Sequence, residues 1–170
     1  MNMIVAVNHN GIIGKDNDLL WYIPEDLKHF RKLTLHNIIV MGRKTYESLP
    51  NGPLKERINI VITFQPEKYQ DTRSNLYFST CADVGKLIQY IQSGTNKEVF
   101  IIGGAQIYAQ FYKECNTIYV TLVHTDETNG ITIQPILCEL EKTHKKDKVP
   151  ETPVSSGGYT YEFIIYRRTI

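Results

Sequence analysis

Hydrophobic residues occur along the chain in short runs that alternate with segments of helical spacing. The runs have strand length and are rich in β-branched residues. They cover residues 3–7, 37–41, 58–63, 99–102, 117–122 and 159–166. Those around Val40, Val61 and Phe100 are continuously apolar, which is typical of central strands covered on both faces. Helical spacing covers residues 24–34, 43–48, 81–92 and 104–112. This order predicts an α/β fold around a mostly parallel sheet.

The last run differs from the others because its large apolar residues alternate with polar ones. Tyr159, Tyr161 and Phe163 share one face, as in a half-buried antiparallel strand, so we expect a mixed sheet with an antiparallel C-terminal edge. Pro24, followed by two acids, marks a helix start, and Thr80 is a candidate cap for a helix that begins at Cys81. Loops are predicted where glycine, proline, asparagine and serine concentrate. These are residues 8–17, 50–53, 65–74 and 149–158.

The composition indicates an ordinary globular protein. The 170 residues fit one domain, residues 1–170, and the 42% hydrophobic and 22% charged residues lie in the usual range. With 19 basic and 18 acidic residues the net charge is +1, so no global field attracts nucleic acid or an anionic membrane. Neither is expected as a partner. Any anion that the protein binds must be captured locally.

The three cysteines are widely spaced and odd in number, so we expect reduced thiols rather than a zinc or redox site. No metal is expected. The N-terminus turns polar too early for a signal peptide, and no apolar stretch reaches membrane-spanning length. These features predict a cytoplasmic protein, with a monomer as the default.

Two segments share a design in which an apolar strand runs into small residues that open a helix. They are residues 40–45 (VMGRKT) and 101–106 (IIGGAQ). Free backbone N–H groups at such helix starts bind phosphate, and two sites suggest a phosphorylated dinucleotide. The alternative for Gly103 and Gly104 is a mere tight turn, since neither segment has the spacing of the known phosphate-loop motifs. Arg43 and Lys44 oppose the helix dipole, which favours a functional role for them.

Asp26 is the candidate catalytic carboxylate. Ile23, Asp26, Leu27 and Phe30 fall on one helix face, which places the acid among apolar side chains. Burial would raise its pKa, and a ligand with two adjacent N–H groups would satisfy both of its oxygens. The alternative is that Asp26 only caps or decorates a first helical turn.

The motifs, taken in order, resemble dihydrofolate reductase over essentially the whole chain. They are Trp-x-x-Pro-x-Asp-Leu at residues 21–27, Met-Gly-Arg-x-Thr at 41–45, Gly-Gly-x-x-x-Tyr at 103–108, and the strand at 159–168. The resemblance implies a central sheet of about eight strands with helices on both faces. It also implies that NADPH passes a hydride to C6 of the dihydropterin while N5 takes a proton from water. Antifolate inhibitors are the further ligands that it implies.

The resemblance also assigns residues to roles. Catalytic roles fall to Asp26, Trp21, Tyr108 and Thr121. Asp26 would hold the pterin N3 and 2-amino groups, and Arg57, which the residues alone suggest to be a surface charge, would pair with the glutamate α-carboxylate. The substrate contacts are Ile4, Val5, Ala6, Leu27, Phe30, Arg31, Thr34, Leu49, Leu54, Arg57 and Ile102. The cofactor contacts are Ala6, Ile13, Gly14, Leu19, Gly42, Arg43, Lys44, Thr45, Thr63, Phe64, Ile102, Gly103, Gly104, Ala105, Gln106, Ile107 and Tyr108.

Residues 8–22 match the family's mobile lid over the nicotinamide, and a cis peptide is expected between Gly103 and Gly104. The sequence departs from the family around this lid, where Leu20 replaces a proline, Leu19 replaces a frequent methionine, and Ile131 and Gln134 replace an acidic residue and a Phe-Pro pair. Lid closure is therefore in question.

Two other functions compete with dihydrofolate reduction. One is a reductase of a ribosylated pyrimidine intermediate in the same fold, which lacks the Trp-x-x-Pro-x-Asp-Leu element. The other is a catalytically silent nucleotide-binding module. Retention of Asp26 and Tyr108 together with both glycine segments argues against a silent module.

Overall fold

A computed structural model describes residues 1–16, 18–149 and 154–169, which form eleven strands and five α-helices. The strands are β1 (Asn2–Asn8), β2 (Ile12–Gly14), β3 (Ile38–Gly42), β4 (Ile58–Ile62), β5 (Leu76–Ser79), β6 (Val99–Gly103), β7 (Thr117–Val123), β8 (Ile131–Thr132), β9 (His144–Lys148), β10 (Val154–Ser156) and β11 (Tyr159–Arg168). The helices are α1 (Pro24–Thr34), α2 (Arg43–Glu47), α3 (Val84–Gln92), α4 (Ala105–Phe111) and α5 (Gln134–Thr143).

The main sheet is mostly parallel, as the sequence predicts. Its strand order is β10-β11-β7-β1-β6-β3-β4-β5, and the pairs from β7 to β5 are all parallel. β11 pairs antiparallel with β7, which confirms the antiparallel C-terminal edge. A ninth strand, β9, pairs with β11 beside β10, so the strand order contains the expected eight strands and one more adjoins them.

β3 shows how the sheet separates two hydrophobic cores. Its side chains alternate between the faces, so that Ile38 and Val40 join one buried cluster while Ile39 and Met41 join the other. Helices α3, α4 and α5 cover the first face, and α1 and α2 contribute side chains to the second. The prediction of helices on both faces is confirmed.

Several boundaries differ from the predictions. The helix expected from Cys81 begins at Val84, because the Thr80 hydroxyl accepts the Asp83 N–H and donates to the Asp83 carboxylate in a turn before the helix. Thr80 is therefore not the cap of α3. The predicted loop at 8–17 is wrong at β2, and that at 65–74 contains a 3₁₀ turn at Pro66–Lys68. The loop expected at 149–158 is wrong at β10, and its residues 150–153 lie outside the described part, as does Asn17.

Other elements were not predicted at all, namely β5, β8, β9 and α5. Cys81, Cys115 and Cys138 are unpaired. None of the helices in the described ranges is both long and apolar enough to cross a bilayer. The prediction of one domain over residues 1–170 stays a prediction.

Candidate active site

A cleft of about 1100 Å³ opens at the carboxyl ends of β1, β3, β4 and β6, the edge at which parallel sheets commonly bind ligands. Every residue that the resemblance assigns to the cofactor lines this cleft. The contributions come from five places along the chain, of which four are Ala6 on β1, Ile13, Gly14 and Leu19 in the lid, Gly42 to Thr45 at the end of β3 and the start of α2, and Ile102 to Tyr108 around the end of β6. Thr63 and Phe64 follow β4 and complete the set.

Glycines bring the two helix starts close together in this cleft. A Cβ on Gly42 would lie 3.1 Å from Ile107 Cγ1, and one on Gly103 would lie 3.0 Å from the Tyr108 hydroxyl. Gly103 also has φ +115, a conformation that favours glycine. The peptide between Gly103 and Gly104 is cis, as the resemblance implies. No side chain caps α2 or α4, so no side chain accepts a hydrogen bond from the first backbone N–H groups of either helix.

A charged corner lies where α2 meets the cleft. Arg43 Nη1 donates to both carboxylate oxygens of Glu47, at 3.0 and 2.8 Å, and this ion pair raises the Arg43 pKa. Glu47 also accepts the Tyr69 hydroxyl at 3.4 Å, and the Tyr69 ring stacks on Phe78 with centroids 4.3 Å apart. This network holds the Arg43 guanidinium at the edge of the cleft, which the fully exposed Phe64 also lines.

Asp26 is half-buried in the first turn of α1, and the buried Thr121 hydroxyl donates to its Oδ1 at 2.6 Å. Burial raises the pKa of the Asp26 carboxyl, and the hydrogen bond from Thr121 offsets part of that shift. The expected direction of the shift is confirmed. Asp26 is not a helix cap, because the N-cap of α1 is Ile23 and makes no side-chain cap bond.

Tyr108 lines the cleft and is close enough to Asp26 for the carboxylate charge to affect its pKa. Its buried hydroxyl donates towards Ile4 O at 2.8 Å and Ile102 O at 2.9 Å, which ties α4 to β1 and β6. Burial and the charge of Asp26 both raise the Tyr108 pKa. Thr121 pairs with Ala6 in the β1–β7 register, so Asp26 lies beside the strand that lines the cleft.

The apolar residues assigned to the substrate fall into three groups, and Trp21, assigned a catalytic role, lies apart from them. Ile4, Phe30, Leu49, Leu54 and Ile102 belong to the cluster on one face of the sheet, and Val5 and Ala6 line the cleft. Leu27 is 44% exposed and lies outside the hydrophobic clusters of the described residues, so it is not core. Trp21 lies in a separate buried cluster with Ile23, Val123 and Tyr161.

Arg57 is buried, so its interpretation as a surface charge is wrong. Its Nε donates to Lys55 O at 2.9 Å, its Nη1 donates to Thr34 Oγ1 at 3.2 Å, and its guanidinium lies 5.9 Å from the centre of the Phe30 ring. Burial and nearby Arg31 lower the Arg57 pKa. Arg31 itself forms a surface ion pair with Glu56. Within the described ranges no carboxylate pairs with Arg57, which leaves it suited to an incoming anion.

The lid is tied to the segment after β7 by backbone bonds. β2 pairs antiparallel with β8, and Gly11 O accepts the Ile133 N–H at 2.8 Å. The fully buried Asn8 side chain accepts the Asn10 and Ile12 N–H groups and donates to Glu127 O at 2.8 Å. At the departures from the family pattern, Ile131 and Leu19 are exposed and line the cleft.

Residues 1–168 match the family model described as dihydrofolate reductase. The chain belongs to the dihydrofolate reductase family. The dihydrofolate reductase of Bacillus subtilis (strain 168) is 37% identical over 172 residues, covering 99% of this chain and 94% of that protein. That of Neisseria meningitidis serogroup A is 34% identical over 172 residues, covering 99% and 98%. A solved structure of dihydrofolate reductase from Enterococcus faecalis, complexed with NADP(H) and RAB-propyl, superposes with a TM-score of 0.77 at 29% identity, covering 99% and 96%.

The cleft of this dihydrofolate reductase family member has lining residues beyond those that its sequence predicts. The residues that line the cleft without having been predicted to do so are Lys15, Asp18, Ser48, Ile62, Gln65, Lys68, Tyr69, Cys81, Gln110 and Ile131. Most of these residues follow a strand or lie in a loop. They come together because the carboxyl ends of the parallel strands lie at the same edge of the sheet. Ile131 drew attention as a departure from the family, but not as a lining residue.

Proposed function

We propose that the protein reduces 7,8-dihydrofolate to 5,6,7,8-tetrahydrofolate with NADPH, by hydride transfer to C6 and protonation of N5. The observation that carries this proposal is the half-buried Asp26 carboxylate, held by Thr121 beside a cleft lined by the two glycine segments. Family membership supports the same reaction.

The cleft fits a phosphorylated dinucleotide. Gly42 and Gly103 let the ends of β3 and β6 pack closely against Ile107 and Tyr108 of α4. The starts of α2 and α4 therefore open on the same cleft, where their backbone N–H groups would bind phosphate. Arg43 and Thr63 would hold the adenosine 2′-phosphate, which favours NADPH over NADH, and Lys44 would contact the cofactor beside them. When bound, NADPH supplies the hydride.

Asp26 would bind the pterin by accepting its N3 and 2-amino hydrogens. The Thr121 hydroxyl keeps the carboxylate in place, and partial burial strengthens its field at the bound ring. An ionised Asp26 favours the protonated form of N5, which receives its proton from water. Because N5 is on the opposite side of the ring from the 2-amino group, Asp26 tunes the basicity of the substrate and does not deliver the proton.

The rest of the substrate would lie along α1 and the segment before β4. Leu27, Phe30, Leu49 and Leu54 would contact the pterin and aminobenzoyl rings. Arg57 would bind the glutamate α-carboxylate with the donors that Lys55 and Thr34 leave free. The same surface would accept antifolates.

Several broader expectations accompany this proposal. We infer a cytoplasmic monomer, and the net charge of +1 supports the absence of nucleic acid and membrane surfaces from its partners. Trp21 would act through the first turn of α1, since Trp21 and Ile23 share a buried cluster.

The test is NADPH oxidation by the purified protein with dihydrofolate. We expect consumption of NADPH and equimolar formation of tetrahydrofolate. Oxidation with a ribosylated aminopyrimidine but not with dihydrofolate would establish the rival reductase. Binding of NADPH without turnover of either substrate would indicate a silent module.

A further inference from the structure

Asn59, on β4, has a fully buried side chain whose amide is bonded to backbone groups. Its Oδ1 accepts the Leu54 N–H at 2.8 Å, and its Nδ2 lies 2.9 Å from Leu54 O and 3.0 Å from Arg57 O. A longer contact reaches Asn75 O at 3.3 Å. The amide therefore replaces both ladder bonds that a neighbouring strand would give Leu54, and it also holds the carbonyl of Arg57.

The segment that the Asn59 amide bonds has no regular secondary structure that would fix its backbone. Residues 54–57 lie between Pro53 and the start of β4 and belong to no strand or helix. Lys55 and Glu56 are exposed, and Glu56 has φ +59, so the segment turns sharply at the surface. Leu54 packs against a hydrophobic cluster and Arg57 is buried. The buried Asn59 amide bonds both ends of this turn and is the side chain that holds the Leu54 N–H. The Asn75 amide reaches the same two carbonyls at longer distances, 3.5 Å to Leu54 O and 3.3 Å to Arg57 O, and the His36 N–H bonds Glu56 O at 2.8 Å.

Fixing the backbone also fixes the guanidinium. Lys55 O, in the same turn, accepts from Arg57 Nε at 2.9 Å, and Thr34 Oγ1 accepts from Nη1 at 3.2 Å while its own hydrogen goes to Phe30 O at 2.8 Å. A guanidinium has five N–H donors in a rigid fork, so donors remain for a carboxylate. The direction in which these remaining N–H donors point depends on the position of the turn at residues 54–57.

We propose that Asn59 is a positioning residue that holds Arg57 for the α-carboxylate of the substrate. The inference rests on the proposed function, because it concerns the carboxylate of dihydrofolate. It predicts that loss of the amide weakens recognition of that carboxylate and leaves the chemistry at the pterin ring intact.

The experiment compares dihydrofolate with its α-carboxamide, in which the pterin ring is unchanged and a neutral amide replaces the α-carboxylate. The wild-type protein should prefer dihydrofolate in kcat/KM by at least about tenfold, the size expected for hydrogen bonds to a charged group. In Asn59→Ser this preference should fall by about tenfold through a higher KM for dihydrofolate. The kcat with either substrate should stay within about twofold, since bonds made equally in the ground and transition states affect binding alone.

Asn8→Ser is the matched control. Asn8 is also fully buried and also bonds backbone groups, but those groups belong to the lid and the segment after β7. It should lose stability as Asn59→Ser does and keep the wild-type preference between the two substrates.

The outcomes separate the two proposals. No turnover of either substrate by the wild-type protein would refute the proposed function and this inference together. Wild-type turnover without a preference for the carboxylate would refute the pairing with Arg57, and the inference with it. An unchanged preference in Asn59→Ser, or an equal loss with both substrates, would refute the role of Asn59 alone.

A second measurement applies if Asn59→Ser does not fold. In the wild-type protein, the Leu54 N–H should exchange with solvent within about tenfold of the Asn59 N–H, which belongs to the sheet. Exchange of Leu54 as fast as that of an exposed loop amide such as Glu56 would show that the amide does not hold the turn.

Discussion

Replacing Asp26 by asparagine should stabilise the protein at neutral pH while it removes most of the activity. The substitution keeps the shape and an oxygen for the Thr121 hydroxyl, and it removes only the charge. Burial raises the Asp26 pKa, so folding favours the neutral carboxyl. Such an acid contributes stability below its unfolded-state pKa of about 3.9, and loses that contribution as the pH rises through its folded-state pKa. The advantage of asparagine is therefore absent in acid and complete at neutral pH.

The magnitude follows from two opposing contributions. The hydrogen bond from Thr121 stabilises the ionised carboxylate by about 1.5–3 kcal/mol, the usual range for a hydrogen bond to a charged group. Burial destabilises the ionised carboxylate by removing water from it. Because the pKa rises overall, the effect of burial is the larger of the two. Because the carboxyl is only half-buried, we expect a remaining difference of about 1 kcal/mol. In a chain of 170 residues this corresponds to about 2–4 °C in Tm.

The assay is urea unfolding of the wild type and Asp26→Asn between pH 4 and pH 8, with NADPH oxidation measured on the same samples. Asp126→Asn, the same change at an exposed position, is the control and should stay within about 0.5 kcal/mol of the wild type. At pH 7 the kcat/KM of Asp26→Asn should fall by at least about a hundredfold and recover partly in acid, where the substrate is already protonated. A stability difference that is constant over this pH range, or a destabilised Asp26→Asn at pH 7, would refute the reasoning.

Two further substitutions concern residues that line the cleft. Arg43→Leu should raise the KM for NADPH by tenfold or more, about the value of one charge-assisted hydrogen bond, and leave that for NADH within about twofold; equal losses would contradict a 2′-phosphate contact. Tyr108→Phe leaves the Ile4 and Ile102 carbonyls without their hydroxyl donor and should lower the unfolding free energy by about 1–2 kcal/mol in thermal or urea melts. An unchanged stability would mean that this hydroxyl does not tie α4 to the sheet.

The central strands and Asp26 could be predicted because local sequence determines them. Residues 38–41 are all apolar, so β3 must be covered on both faces, and the structure buries them all. Asp26 shares a helix face with Ile23 and Phe30, and that face meets the sheet. In both cases the pattern of apolar residues in one short stretch of sequence is enough for the prediction.

Other features depend on contacts between distant segments. Arg57 is buried because Thr34 and Lys55 accept its hydrogens, and nothing around residue 57 in the sequence indicates this. Asn59 interrupts an apolar run, and only the fold shows that its amide bonds Leu54. α5 buries just Ile136 and Leu140, too few apolar positions for its periodicity to be recognised.

The most direct test of the central claim follows deuterium from the cofactor to the substrate. The purified protein is supplied with dihydrofolate and with NADPH that is deuterated at both positions of nicotinamide C4, and the product is examined by NMR and mass spectrometry. We expect tetrahydrofolate with one deuterium at C6 and a solvent-derived proton at N5. Product without deuterium at C6, or no product at all, would contradict the account.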